Sequence, residues 1–385
     1  MKRTPRNGTG WTIPNGVKLR YTAPMKSNRI GILTGGGDAP GLNAVIRSAV
    51  KYGAGTLNWR MVGIEDAFNG LLESPRRLRD LTPRSCQGLL HRGGTVLGTT
   101  NRGDPFSFPM SDGTATDRSA EVAEAVQAEG LEGLIVIGGD GTQAIGLRLM
   151  DEHGIPVVGV PKTIDNDLNS TDFTFGFMSA VETATEALDR LHTTAESHDR
   201  VMLLEVMGRD AGWIALWAGV AGGADCIAIP EIPYDADRFA AKIRDRRQKG
   251  RHFTIVVVAE GAAPHRGERM PTHVPHGQGT LRKSGAADTL AHLLTERIDV
   301  ETRTTVLGHL QRGGSPVAYD RVIATQFGVK AVELIHRGRW GEMVCLSAGE
   351  VTSVPIRDAI ATYRTVDPTD PLIAAARSVG IEFGG

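Results

Sequence analysis

The chain has 385 residues, 41% hydrophobic and 23% charged, enough for two lobes with a cleft between them and more than a single compact core ordinarily holds. A formal net charge of −1 gives no global attraction to nucleic acid or to an anionic membrane, and 5% aromatic residues are too few for a base-stacking surface, so any anionic ligand must be held by local Arg and His groups. No apolar run approaches the roughly eighteen residues needed to span a bilayer.

Residues 1–27 carry Lys2, Arg3, Arg6, Lys18, Arg20 and Lys26 with no acid, and read as a basic, partly disordered extension rather than a secretory signal. From Arg29 onward, short apolar runs alternate with helix-length amphipathic stretches, the pattern of mostly parallel sheets covered on both faces. The spacing predicts strands over Arg29–Leu33, Met61–Ile64, Gly133–Ile137, Val157–Val160, Val201–Val206, Cys226–Ile229 and Thr254–Ala259. Helices are predicted over Leu42–Tyr52, Arg118–Ala128, Thr142–His153, Met178–Glu196, Ala236–Lys249, Gly285–Asp299 and Asp320–Arg337. The run Ala262–Gly279, with His265, His273 and His276, breaks the rhythm and reads as a surface loop rather than a metal site. Cys86, Cys226 and Cys345 lack CxxC or metal-ligand spacing and fit small core residues in a reducing cytoplasm.

Chemistry concentrates where predicted strands end, the edge at which open α/β sheets bind ligands. Gly35-Gly36-Gly37-Asp38 runs from a strand into a helix, so main-chain N–H groups and the helix N-terminus can meet phosphate oxygens, although no GK[ST] closes the loop as in a Walker A sequence. Gly138-Gly139-Asp140-Gly141-Thr142 repeats that design and adds a carboxylate suited to Mg²⁺ on a polyphosphate. Pro161-Lys162-Thr163-Ile164-Asp165-Asn166-Asp167 follows a buried-looking strand. A hydroxyl acceptor must lose its proton as it attacks phosphorus, which makes Asp165 the candidate general base. Asp167 would orient it, two residues on and on the same side if the backbone is extended. Arg200, Met207-Gly208-Arg209, Glu260, Arg303 and His309-Leu310-Gln311-Arg312 supply guanidinium, imidazole and carboxylate groups suited to a sugar phosphate.

Five segments, TGGGDAPGLNA, GGDGT, PKTIDND, EVMGRDAGWIAL and LGHLQRGGSPVAYDR, together resemble the 6-phosphofructokinase family in order and spacing, from about Asn28 to the C-terminus. The resemblance implies two doubly wound, mostly parallel-sheet α/β lobes with the active site in the cleft between them. The donor lobe would take roughly residues 28–175 plus 311–360 and the fructose 6-phosphate lobe 176–310 plus 361–385. It implies phosphorylation of the 1-hydroxyl of fructose 6-phosphate with Mg²⁺, Asp165 as base and Arg209 near the transferred group. Gly36, Asp140, Gly141 and Thr142 would sit at the donor phosphates, with Asp140 serving the cation. Thr163, Met207, Gly208, Arg209, Glu260, His309 and Arg312 would line the sugar site. Arg200 and Arg303 match arginines that reach a neighbouring subunit's site, implying a homodimer or homotetramer. In the turn Gly98-Thr99-Thr100-Asn101-Arg102 the arginine falls one place later than in familiar bacterial ATP enzymes, and Arg102 is assigned to the donor phosphates on that footing.

The donor turns on two positions. In pyrophosphate-dependent members an Asp follows the Asp of the GGD turn and a Lys precedes the Thr of TIDND, whereas familiar bacterial ATP enzymes have Gly at both. This chain has Gly141 and Lys162. A missing side chain leaves room for a nucleotide and a lysine does not exclude one, which weights ATP, with pyrophosphate as the alternative. GGDGT also occurs in NAD kinases and diacylglycerol-type lipid kinases, which would not be expected to carry the other segments. A non-catalytic sugar-phosphate-binding subunit would be expected to have lost Asp140, Asp165 or Arg209, and all three are present.

Overall fold

The computed structural model describes residues 28–265, 273–276, 280–283 and 285–385. The basic extension at 1–27 and residues 266–272 and 277–279 of the expected loop lie outside them. In chain order the strands that position the site are β1 (Arg29–Thr34), β2 (Arg60–Ile64), β3 (Leu78–Leu81), β4 (Gly133–Gly138), β5 (Val157–Thr163), β6 (Val201–Val206), β7 (Cys226–Ala228), β8 (Thr254–Ala259), β9 (Thr302–Val306), β10 (Glu342–Ser347) and β11 (Glu350–Pro355). One sheet runs β11-β10-β5-β4-β1-β2-β3, with the two-residue strand Phe175–Gly176 added on β5; the second runs β7-β8-β6-β9. Pairing in both is parallel apart from β10 with β11 and β2 with β3.

β4, β5 and β8 are buried along their whole length, because helices cover both faces, and so they read as near-continuous apolar runs rather than alternating ones, until Lys162 and Thr163 close β5. Helices Leu42–Gly53 and Ala318–His336 pack on one face of the first sheet, and Ser119–Ala128 with Asp140–His153 on the other. The second core joins β6 to β8 with helices Phe177–His198, Trp213–Ala221, Ala236–Gln248 and Ala286–Thr295. In the first sheet the chain leaves β1 for β2 and returns to β4 on the other side of β1, so the loops after β1 and β4 flank a crevice at the carboxyl edge. Among the described residues no helix is long and apolar enough to cross a membrane.

Several elements lie outside the sequence expectation for identifiable reasons. Trp213–Ala221 has no polar face to reveal its period; a helix apolar all round is a buried one, and Ile214, Ala215, Leu216 and Ala218 are fully enclosed. β9 is a half-exposed edge strand, Thr-Arg-Thr-Thr-Val, short of apolar residues. β10 and β11 form a hairpin through Ala348 and Gly349, both at positive φ (51° and 82°). That is the two-residue turn usually announced by Asn-Gly, and Ala in its first position conceals it. Within the expected surface loop, His273–His276 pairs antiparallel with Thr280–Lys283, a two-stranded ribbon whose edge positions tolerate Pro275.

Helices Leu42–Gly53 and Ala318–His336 meet so closely that a Cβ on Gly328 would collide with Ser48 Oγ and the Val45 carbonyl oxygen. Gly328→Ala is expected to destabilise the protein by about 2 kcal/mol, because backbone cannot yield as a side chain can. Thermal unfolding checks this; an unchanged midpoint would show that the two helices move apart freely.

Candidate active site

The carboxyl-edge loops of both sheets converge on a cleft of about 700 Å³. Gly36, Asp140, Gly141, Thr142, Lys162, Thr163 and Asp165 line it from the first sheet, Arg209 from the loop after β6, and Arg312 from the turn after β9. Arg102 also lines it and is exposed.

Asp165 lies just past β5, where Thr163 Oγ1 accepts its N–H at 3.0 Å. The following Asn166 takes φ 54° and its Oδ1 accepts the Thr174 N–H at 3.0 Å. The two aspartates are therefore joined by a turn rather than by the extended backbone expected, and they still influence one another. Asp165 is 3% exposed, and among the described residues its Oδ1 has no hydrogen-bond partner. Burial chiefly, with the charge of Asp167 added, pushes its carboxyl up to about 6, while Arg312 and Arg209 pull it back. Burial and the nearby Asp140 likewise raise Asp167.

Arg209 stands between two carboxylates, its Nε 3.8 Å from Asp165 Oδ2 and its Nη1 3.9 Å from Asp140 Oδ1. Its backbone takes φ 52°, a strained conformation for a side-chain-bearing residue. Glu260 Oε1 holds it there by accepting the N–H groups of Arg209 (2.8 Å) and Gly208 (3.2 Å). Met207 donates its N–H to Gln311 Oε1 at 2.9 Å, which ties this loop to the turn carrying His309 and Arg312.

At the donor end the Gly-rich loop acts differently from the sequence expectation. The Gly35 N–H is already spent on Ile137 O and the Gly36 N–H on Thr100 O, at 2.9 and 3.0 Å, so these two glycines offer space rather than donors. Free N–H groups come instead from the first turn of the helix Asp140–His153, capped at Gly139 without a side-chain hydrogen bond. Asp140 is a first-turn residue and not the cap. Lys162 is buried, donates through Nζ to Gly37 O, and is pushed down to about 8 chiefly by burial and then by Arg312. A Cβ at Gly141 would meet nothing within 4 Å, and beyond it Phe68, Ala144 and Ile145 give the cleft an apolar end.

A phosphofructokinase family model matches residues 29–335. The chain belongs to the phosphofructokinase family. It is 49% identical over 356 residues to the ATP-dependent 6-phosphofructokinase 1 of Synechocystis sp., covering 92% of this chain and 98% of that one. It is 46% identical over 357 residues to the pyrophosphate–fructose 6-phosphate 1-phosphotransferase of Streptomyces coelicolor, covering 92% and 100%. Among solved structures, Pichia pastoris phosphofructokinase in the T-state superposes with a TM-score of 0.76 at 30% identity, over 90% of this chain and 39% of that longer one.

Arg200 and Arg303 do not line the chain's own cleft. They sit at the opposite, amino end of the second sheet, where both pair with Glu301, Arg200 at 2.6 Å. Two residues at the site were given no role by sequence reasoning. Gln311, fully buried, carries no chemistry of its own to flag it. Tyr363, whose O–H donates to Asp140 Oδ2 at 2.7 Å, belongs to no glycine-rich or acidic segment.

The buried Asp165 also predicts a pH-dependent cost. Its folded-state pKa of about 6 lies above the ordinary aspartate value of 3.8, so the folded chain binds the proton more tightly and ionisation destabilises it. The favourable contribution is complete below about pH 4 and lost as pH rises through about 6. Asp165→Asn is thus expected to be more stable than wild type at pH 7–8, by roughly 2 kcal/mol, with the difference vanishing towards pH 4. Thermal midpoints across that range check this; a gain that persists at pH 4 would refute the electrostatic origin.

Proposed function

We propose that the chain transfers a phosphoryl group from ATP to the 1-hydroxyl of D-fructose 6-phosphate, giving fructose 1,6-bisphosphate, as a glycolytic step in the cytoplasm. The observation that carries this is Asp165, a desolvated carboxylate with a free oxygen, facing a cleft whose walls are a helix N-terminus on one side and arginines on the other.

Asp165, ionised at neutral pH, takes the hydroxyl proton as the oxygen attacks phosphorus, and Asp167 biases its affinity for that proton. Arg209 offsets charge on the group in transit. Gly36, Gly141, Thr142 and Arg102 border the donor phosphates above Lys162. Thr163, Met207, Gly208, Arg209, Glu260, His309 and Arg312 hold the sugar phosphate, and Arg200 and Arg303 complete the site of a neighbouring subunit in a homodimer or homotetramer. Asp140, part-exposed where it lines the cleft and with Oδ1 beyond hydrogen-bond reach of Arg209, fits Mg²⁺, which is commonly held by one carboxylate together with phosphate oxygens and would offset their charge.

The name of the Synechocystis relative and the open space at Gly141 support ATP. The name of the Streptomyces coelicolor relative and the buried Lys162 support pyrophosphate as the second reading. Steady-state assays with fructose 6-phosphate and Mg²⁺ should show turnover with ATP, and Gly141→Asp should depress it by about tenfold or more by filling that space with a carboxylate. Turnover with pyrophosphate alone would refute the donor assignment. Asp165→Ala should lower kcat at least about a hundredfold with fructose 6-phosphate binding little changed; near wild-type turnover would remove Asp165 as base. For the shared site, inactive Asp165→Ala and Arg303→Ala chains should regain activity when mixed and reassembled, because one of each pair of sites is then intact. No recovery in verified hybrids would place both groups in one subunit's site.

A further inference from the structure

The segment 362–366 enters the site from outside all five motifs and beyond the stretch matched by the family model. Its backbone is fastened to the loop that bears the aspartates. Arg364 N–H donates to Asp167 O at 2.8 Å, Tyr363 and Leu168 form an antiparallel bridge, and Asn169 Nδ2 donates to Thr362 Oγ1 at 2.8 Å. On its other flank it is fastened to the loop that bears Arg209. Trp213 Nε1 donates to Arg364 O at 3.1 Å, and Glu231 Oε1 accepts the N–H groups of Val366 (2.8 Å) and Gly212 (2.9 Å). The segment is therefore a strap joining the two halves of the reaction centre, with a cavity of about 50 Å³ between Tyr363, Asp167 and Arg209.

From this strap the Tyr363 phenol reaches the helix start on the first sheet and donates to Asp140 Oδ2 at 2.7 Å. Tyr363 is 65% exposed, so it contributes little by burial. Its hydrogen bond distinguishes the two oxygens of Asp140: Oδ2 is occupied, and Oδ1 faces Arg209 at 3.9 Å, too far for a hydrogen bond. A carboxylate without that restraint is free to rotate and close on Arg209, which would neutralise both groups.

We propose that Tyr363 is a positioning residue for phosphoryl transfer, its hydrogen bond holding Asp140 Oδ1 short of Arg209, so that Oδ1 stays available to the donor phosphates and their cation and Arg209 to the group in transit. The inference rests on the assignment of Asp140 to the cation. An outer partner of a metal-facing carboxylate commonly changes metal affinity or activity by tenfold or more.

The test uses the intact protein and its Tyr363→Phe, Asp140→Asn and doubly substituted forms. Mn²⁺ binding in the presence of ATP is followed by the electron paramagnetic resonance signal of free Mn²⁺, alongside Mg²⁺ activation of turnover, the KM for fructose 6-phosphate and the thermal midpoint. Tyr363→Phe should weaken Mn²⁺ binding and raise the Mg²⁺ requirement by about tenfold, with that KM and the midpoint unchanged. In the Asp140→Asn background it should add nothing. Mn²⁺ binding unaltered by Tyr363→Phe, an effect undiminished in the Asp140→Asn background, or a loss that tracks the thermal midpoint would overturn the role of Tyr363 while leaving Asp140 in place. Wild-type Mn²⁺ binding by Asp140→Asn would overturn the cation assignment itself, and the proposal with it.

Discussion

A carboxylate that is to take a proton at neutral pH must be dry enough to want one and charged enough to lack one. Asp165 meets both conditions because burial raises it to about 6 while Arg209 and Arg312 restrain the rise. Those two cations do not come from the sheet that carries Asp165. Arg209 follows β6 and Arg312 follows β9, so the aspartate is poised only where the carboxyl edges of the two sheets face one another. The fold is thereby bound to the chemistry: separating the sheets would leave a buried carboxylate without its compensating charges.

Fastenings at the places where the chain changes sheets keep those edges in register. Asp320, fully buried, accepts both the N–H and the O–H of Ser179, at 2.8 and 2.6 Å, and Ser179 Oγ accepts the Val317 N–H at 3.0 Å. The start of the helix Phe177–His198 is thus held to the start of Ala318–His336. Gln311 performs the same service for the Met207 loop and Glu260 for the strained Arg209 backbone. Asp320, Ser179 and Gln311 are polar, enclosed and hydrogen-bonded to main-chain donors, the arrangement that makes a buried polar contact specify geometry rather than merely cost energy, while Glu260 does its holding from an exposed position.

How much of this the sequence made legible depended on what each residue had to do. The buried parallel strands and the strand-end loops were legible, because a strand covered on both faces must be continuously apolar and a phosphate-facing turn must be small or charged. Asp140, Asp165, Lys162, Arg209 and Arg312 accordingly meet in one cleft. Trp213–Ala221, β9 and the Ala348–Gly349 hairpin were not legible, since each lacks the polar contrast, apolar content or turn residue that local pattern reading needs. Tyr363 was out of reach for a different reason. Its meaning comes from a partner 223 positions away, and no local feature of an exposed tyrosine reports that. The occupied amides of Gly35 and Gly36 belong to the same class, because which N–H groups of a loop remain free is decided by the strands beside it.

The apparent conflict between Gly141 and Lys162 also changes once the two are placed in space. Lys162 lies in the floor of the cleft, enclosed beneath the Gly-rich loop, with its ammonium committed to Gly37 O and close to Gly36. Gly141 is exposed and lines the same cleft as the apolar Phe68, Ala144 and Ile145. A buried cation in the floor favours any terminal phosphate, whether it ends a nucleotide or a pyrophosphate, and so discriminates weakly between them. On the proposed reading Gly141 would discriminate more strongly, because only the longer donor would pass it, and a Cβ there would meet nothing within 4 Å among the described residues. On that reading the two residues would act on different parts of the donor: the lysine on affinity for the phosphate common to both, and the glycine on whether a nucleotide can accompany it.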